Sequence, residues 1–230
     1  MLKVVVYVFG IDLLAATDAS RWLTWVAAFT IVAASCVALG KDNLKARLAY
    51  STISQLSYIV LGAALATSAG VVGGGMHIVM HAFGKITLFF CAGAIMVGAH
   101  KTEISEMDGL GRRMPFTFGA FLLGSLSVIG LPPMGGSWSK WFLMLGAAEA
   151  HQWVMMVVLM ASSLLSIGYL MPVVVRGFFR PAPADDHQGS VGIHEAPLLC
   201  VLPPVATALG GIVLFFVAGD IWRLLMGMVP

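Results

Sequence analysis

Seven apolar stretches, at about 2–15, 22–40, 46–67, 71–99, 116–148, 153–175 and 198–218, dominate this chain of 230 residues. A helix rises about 1.5 Å per residue, so about 20 apolar residues cross a hydrocarbon layer. The first stretch is short, and the other six reach or approach that length. Lipid offers no partner to backbone N–H and C=O groups, so spanning segments of this kind must bond internally as helices. The expected fold class is therefore all-α integral membrane, with about seven transmembrane helices in one transmembrane domain over 1–230. Composition agrees: 59% hydrophobic and 10% charged residues, with a mean hydropathy of +0.93, describe a membrane protein and leave no soluble domain.

The fifth stretch is too long for one straight helix and contains Gly130-Leu131-Pro132-Pro133-Met134-Gly135-Gly136. Prolines remove amide donors and glycines relax the backbone, so one crossing broken in the middle is expected. Charge supports that count. Lys41, Lys45, Arg47, Lys101, Arg112, Arg113, Arg176 and Arg180 fall in alternate loops only if 116–148 crosses once. Basic loops face the cytoplasm, which places the N-terminus inside and the C-terminus outside a cell inner membrane. The polar, Pro/Gly/Asp-rich segment 181–196 reads as a linker between the last two helices. Lys3 and the apolar run to Leu14 imitate a signal peptide, but the next crossing follows too soon for cleavage to be expected.

Ionisable side chains at membrane depth are costly and mark proton or ion paths by default. His77, His81 and Lys85 recur every four residues, so they share one helical face and climb about 12 Å along it. Histidine titrates near neutral pH and lysine provides a switchable charge, so the three can relay protons directly or through water. The structural alternative has both histidines bonding backbone carbonyls of neighbouring helices while Lys85 snorkels outward, although Lys85 lies too deep to do so easily. Lys140 follows the Pro/Gly break, where an interrupted helix exposes backbone groups to water or ions. Its flanking Trp138 and Trp141 also fit an interfacial aromatic belt.

Other polar residues read more plainly. Lys3, taken locally, is an ordinary basic residue at the start of a membrane helix. Lys41, Asp42, Lys45 and Arg47 form an inside anchor, with Lys45 placed nearest the membrane. Ser51, Thr52, Ser54 and Gln55 either bond between helices or hold water, and packing is their commoner use. Cys36, Cys91 and Cys200 each stand alone in apolar runs and read as small buried residues. One helix cannot place His77 and His81 on opposite faces of a haem iron, and no carboxylate or thiol joins them for zinc. No cofactor or metal is expected. The cationic residues sit in short loops and not over a surface, so nucleic acid is not an expected partner.

Four motifs, in order, carry a resemblance: KDNLKARLAYSTISQ at 41–55, MHIVMHAFGKITLFFCAG at 76–93, MDGLGRRMP at 107–115 and GLPPMGGSWSK at 130–140. From Lys3 to about Phe179 the chain resembles the antiporter-like subunits of respiratory complex I and of Mrp antiporters, a module also used by membrane-bound hydrogenases. The resemblance implies fourteen helices in two inverted repeats, of which this chain covers the second. Residue by residue, it makes Lys3 the lysine of the helix joining two half-channels, Lys45 the lysine before the next helix, Lys85 the central lysine, and Lys140 the broken-helix lysine. His77 and His81 become linking histidines. The implied half-channel runs from Lys140 through Lys85, His81 and His77, with Lys45 and Lys3 continuing the polar axis. The first broken helix, its lysine and the paired glutamate have no counterpart here. A fragment, a split-gene product or a partner N-terminal half-module is then expected, beside other membrane subunits in the lipid bilayer.

The functional expectation is a proton-translocating, D-type subunit of an Mrp-type monovalent cation/proton antiporter, favoured by GLPPMGGSWSKW and GIHEAPLL. The alternative is a membrane-arm subunit of NADH-quinone oxidoreductase or a hydrogenase, and from another class a non-conducting membrane scaffold. The chain has no nucleotide loop, flavin motif or cluster ligands, so any hydride or electron transfer belongs to partners.

Overall fold

The computed structural model describes residues 4–10, 13, 18–182 and 192–227. Within the first apolar stretch it places a π-helical turn at Val4–Phe9. Lys3 lies outside the described residues, as do residues 14–17, where a signal-peptide cleavage would fall. Nine α-helices follow among them: α1 (Asp18–Gly40), α2 (Leu44–Ala64), α3 (Ser68–Ala99), α4 (Leu110–Arg113), α5 (Pro115–Ile129), α6 (Gly136–Glu149), α7 (Trp153–Phe179), α8 (Leu198–Phe216) and α9 (Ala218–Met226). The only extended pairing among the described residues is an isolated bridge between Asn43 and Glu103.

Four helices contain segments long and apolar enough to span a bilayer, at Ser20–Gly40, Ser68–Ala99, Trp153–Phe179 and Leu198–Phe216. Helix α2 matches them in length but is more polar, and its polarity points inward. Ile53 and Leu56 are exposed, whereas Ser51, Ser54 and Gln55 are fully buried. Helix α3 repeats the pattern, with Ile78, Ile86 and Phe89 outward and His77, His81 and Lys85 buried. Apolar residues outside and ionisable ones inside are what a hydrocarbon solvent selects, the reverse of a water-soluble bundle. The chain is an all-α, multi-pass integral membrane protein.

The helix ends explain where each crossing turns. Asn43 caps α2 by accepting a bond from Ala46 N, and Thr67 caps α3 by accepting one from Gly70 N, each offsetting a donor orphaned at a helix start. Pro115 opens α5, where its missing N–H costs nothing. The basic loops converge at one end. Leu44 N bonds Thr102 O, Ile104 N bonds Asp42 O, and Gly109 N bonds Arg176 O, each at 3.0 Å. At the other end Thr24 Oγ1 donates to Ala64 O and Thr67 Oγ1 to Gly146 O. Helix α5 thus starts at the basic end and α6 finishes at the opposite one, so 116–148 makes a single interrupted crossing.

Two features refine the sequence reading. The last crossing ends at Phe216, and α9 turns back against α3, seating Ile221 and Leu225 on Met76 and Met80 while Asp220 and Arg223 pair on the exposed face. Of segment 181–196, residues 183–191 lie outside the described set. Its final residues are docked: His194 N bonds Arg113 O at 2.8 Å, and Glu195 accepts from Phe116 N, Thr117 N and Thr117 Oγ1 at the start of α5.

Candidate functional site

The break between α5 and α6 builds the first part of the site. Gly130 takes a left-handed conformation at φ +91°, which a side chain would strain, and its N–H closes on Leu126 O. Leu131 N shares that carbonyl, while Gly135 N crosses to Gly211 O on α8 at 3.0 Å. Gly136 lies so close to Ser127 that a Cβ would overlap the Ser127 carbonyl oxygen. Most freed backbone groups are in this way paired within the protein, as irregular backbone at membrane depth requires. The Ile129 carbonyl, at the very end of α5, is bonded by a side chain: Lys140 Nζ donates to it at 3.0 Å and to Ser163 Oγ at 3.0 Å.

Lys140 is also the start of a buried polar axis. Its Nζ stands 5.0 Å from the Tyr58 ring centroid, a cation–π distance. Tyr58 stacks on His77 at 5.3 Å and 14°, and His77 stacks on His81 at 5.4 Å and 17°. Ser139, one residue before Lys140, holds His77 Nδ1 at 3.0 Å and itself donates to Gly136 O. Lys85 ends the row, donating to Leu48 O on α2 at 3.1 Å. His77, His81, Lys85 and Lys140 are between 2% and 7% exposed, and at the Lys140 end Lys140 and Tyr58 line a surface cleft with Ser163 and Trp141.

The order along this axis differs from the expected one. Lys140 meets His77, not Lys85, because α6 packs on the N-terminal half of α3, and the path reads Lys140, Tyr58, His77, His81, Lys85. Lys45 is not brought into it. That side chain is exposed on α2, with Nζ 3.3 Å from Met96 Sδ. Its neighbour Arg47 is the buried one, 8% exposed, bonding Lys41 O and Tyr169 O.

By standard geometry neither histidine bonds a neighbouring backbone carbonyl, although the Gln55 backbone on α2 lies beside His77. His77 Nε2 and both ring nitrogens of His81 are buried without a protein hydrogen-bond partner, as are both amide atoms of Gln55 and the Ser125 hydroxyl. Buried polar atoms without partners are expensive, and here they concentrate on two adjacent histidines. Sequence reasoning missed Tyr58 and Ser139. Tyr58 stands seven residues after Ser51 on the polar face of α2, a spacing that two helical turns bring into line, and that was the available signal.

Comparison with known proteins identifies the family. The family described as NADH:quinone oxidoreductase/Mrp antiporter, TM matches residues 1–166. NADH-quinone oxidoreductase subunit N of Desulforudis audaxviator is 35% identical over 200 residues, 84% of this chain and 40% of that protein. The chain therefore spans less than half the length of that curated relative. Among solved structures, the Mrp complex from Dietzia sp. DQ12-45-1b aligns with a TM-score of 0.83 at 21% identity, over 93% of this chain and 47% of that one. Respiratory complex I from Thermus thermophilus aligns with a TM-score of 0.83 at 21% identity, over 99% of this chain and 47% of its own. These structural likenesses establish the fold. The chain belongs to the NADH:quinone oxidoreductase/Mrp antiporter transmembrane family.

Proposed function

We propose that this family member conducts protons through the membrane interior, as one half of an antiporter-like subunit in a larger membrane complex. One observation carries the reading: two buried lysines, Lys140 and Lys85, stand at the two ends of a stacked Tyr58–His77–His81 row. A lysine at membrane depth that is bonded only to a carbonyl and a hydroxyl has no counter-charge to hold its proton permanently. Protonation of one lysine disfavours protonation of the next histidine, so a proton entering at one end displaces one at the other. The stacked imidazoles, with free ring nitrogens, let water-bridged transfer run between the lysines. Lys3 is proposed to continue the axis toward the other half-module, and Lys45 to act as an entry charge on the basic face, turned to the cytoplasm.

For the complex itself we favour an Mrp-type cation/proton antiporter, on the GLPPMGGSWSKW and GIHEAPLL stretches. A second reading, a membrane-arm subunit of an NADH-quinone oxidoreductase, is supported by the 35% identity to a subunit N. The test uses vesicles holding the assembled complex, with and without this chain. Proton flux that requires the chain and follows a sodium gradient supports the first reading; flux that requires it and follows NADH oxidation supports the second. Assembly of the complex with full flux in the chain's absence contradicts proton conduction by either route.

A further inference from the structure

A second polar system runs beside the histidine row, built from hydroxyls on α1, α2 and α7. Tyr169 Oη lies 2.8 Å from Ser51 Oγ and 2.9 Å from Ser166 Oγ, and the backbone carbonyl of Tyr169 is bonded by Arg47 near the basic end. Deeper in the bundle Ser35 Oγ lies 2.9 Å from Ser54 Oγ and 3.2 Å from Ser162 Oγ. All of these serines and both tyrosines, Tyr58 and Tyr169, are fully buried. A serine in a membrane helix commonly returns its proton to the carbonyl four residues back, and Ser35 and Ser166 do so. Side-chain pairs joining three different helices are also common packing glue in a membrane bundle, and what sets this group apart is the buried amide beside it that makes no standard hydrogen bond.

Beside Tyr58 and Tyr169 stands Gln55. It is fully buried, its side chain lies beside the hydroxyls of Tyr58 and Tyr169, and its backbone lies beside His77. Neither amide atom makes a hydrogen bond of standard geometry, so its contacts with the two tyrosine hydroxyls are longer than direct bonds. A carboxamide has an acceptor oxygen and two N–H donors, and one held just beyond direct bonding to two tyrosine hydroxyls is suited to fixing bridging water. We infer that Gln55 is the junction at which a hydroxyl relay from the basic end, through Ser51, Tyr169 and Ser166, joins the Tyr58–His77 end of the proton axis. The inference rests on the proposed proton conduction and adds its route to the basic face. In such a relay each hydroxyl or water passes its own proton forward and accepts one from behind, so no net charge resides on serine or tyrosine. Gln55 transfers no proton; it is a positioning residue that holds the water doing so.

The experiment measures proton flux per assembled complex in vesicles for Gln55→Leu, Gln55→Asn and Tyr169→Phe, with Lys85→Ala as reference. Tyr169→Phe removes one oxygen and keeps the ring, so folding is preserved. The relay predicts a loss of roughly tenfold in Gln55→Leu and in Tyr169→Phe, about 1.4 kcal/mol in the barrier, with Gln55→Asn restoring part of it. A purely structural Gln55 would lower the yield of complex while leaving flux per complex unchanged. Wild-type flux per complex in Gln55→Leu and Tyr169→Phe, with flux lost in Lys85→Ala, overturns the junction alone. Wild-type flux in all of them, Lys85→Ala included, places the failure in the proposed conduction itself.

Discussion

Lys140 Nζ lies 3.0 Å from the carbonyl oxygen of Ile129, so the lysine beyond the break bonds the last helical residue before it. The same ammonium sits over Tyr58 and thereby over the histidine row. Under the proposed conduction, a change in the charge of Lys140 acts both on the end of α5 and on the histidine row, and so would couple the shape of the break to proton occupancy.

Replacing Lys140 by methionine keeps the stem and removes the ammonium. The Ile129 carbonyl then loses its partner in a water-poor setting, which costs about 1–3 kcal/mol. We expect Lys140→Met to assemble with a lowered melting temperature and to lose proton flux. Differential scanning fluorimetry beside dye-based flux measures both, and a variant with unchanged melting and unchanged flux contradicts the coupling.

Gly136→Ala places a methyl group against the Ser127 carbonyl. The neighbour is backbone, so either the break widens or α6 shifts, and overpacking of this kind costs about 1–3 kcal/mol or more. The expected outcome is reduced assembly, read as the yield of complex by size-exclusion chromatography. Gly119→Ala is the control, because nothing lies within 4 Å of a Cβ there, and its yield should match the wild type.

Glu195 is predicted to hold the segment before α8 on the start of α5. Its carboxylate accepts from Phe116 N, Thr117 N and Thr117 Oγ1, offsetting donors orphaned at that helix start. Glu195→Ala should cost about 1 kcal/mol, the value of a lost helix cap, and should make residues 192–197, ahead of α8, more open to protease. Limited proteolysis with mass mapping checks this, and an unchanged cleavage pattern counts against the tether.

The interrupted crossing fixes sidedness. Thr102 lies in the basic loops and Gln152 beyond the end of α6, so single cysteines at the two positions, in a background lacking Cys36, Cys91 and Cys200, should label from opposite faces. Labelling of both from one side contradicts a single crossing for 116–148.

Much of this was legible in the chain itself. The ladder His77, His81, Lys85 shows in its spacing because a helix brings every fourth residue to one face, and the break shows in GLPPMGG because prolines and glycines act locally. The order of the axis was not legible, since whether Lys140 meets His77 or Lys85 depends on how far α6 slides along α3. The same holds for Lys45 and Arg47. Both precede an apolar run and both carry charge, but only the rotation of α2 decides that Arg47 turns inward and Lys45 outward. Helix α9 escaped notice because nine amphipathic residues after a long crossing resemble its frayed end.

The central claim is that charge on Lys85 is used in transport, and Lys85→Ala tests it most directly. The substitution removes a buried ammonium whose sole described hydrogen bond is to Leu48 O, so the helices should still insert and the complex should still assemble. In vesicles carrying equal amounts of assembled complex, followed with a pH-sensitive dye, we predict that proton flux is abolished. Wild-type flux from the Lys85→Ala complex would contradict the account.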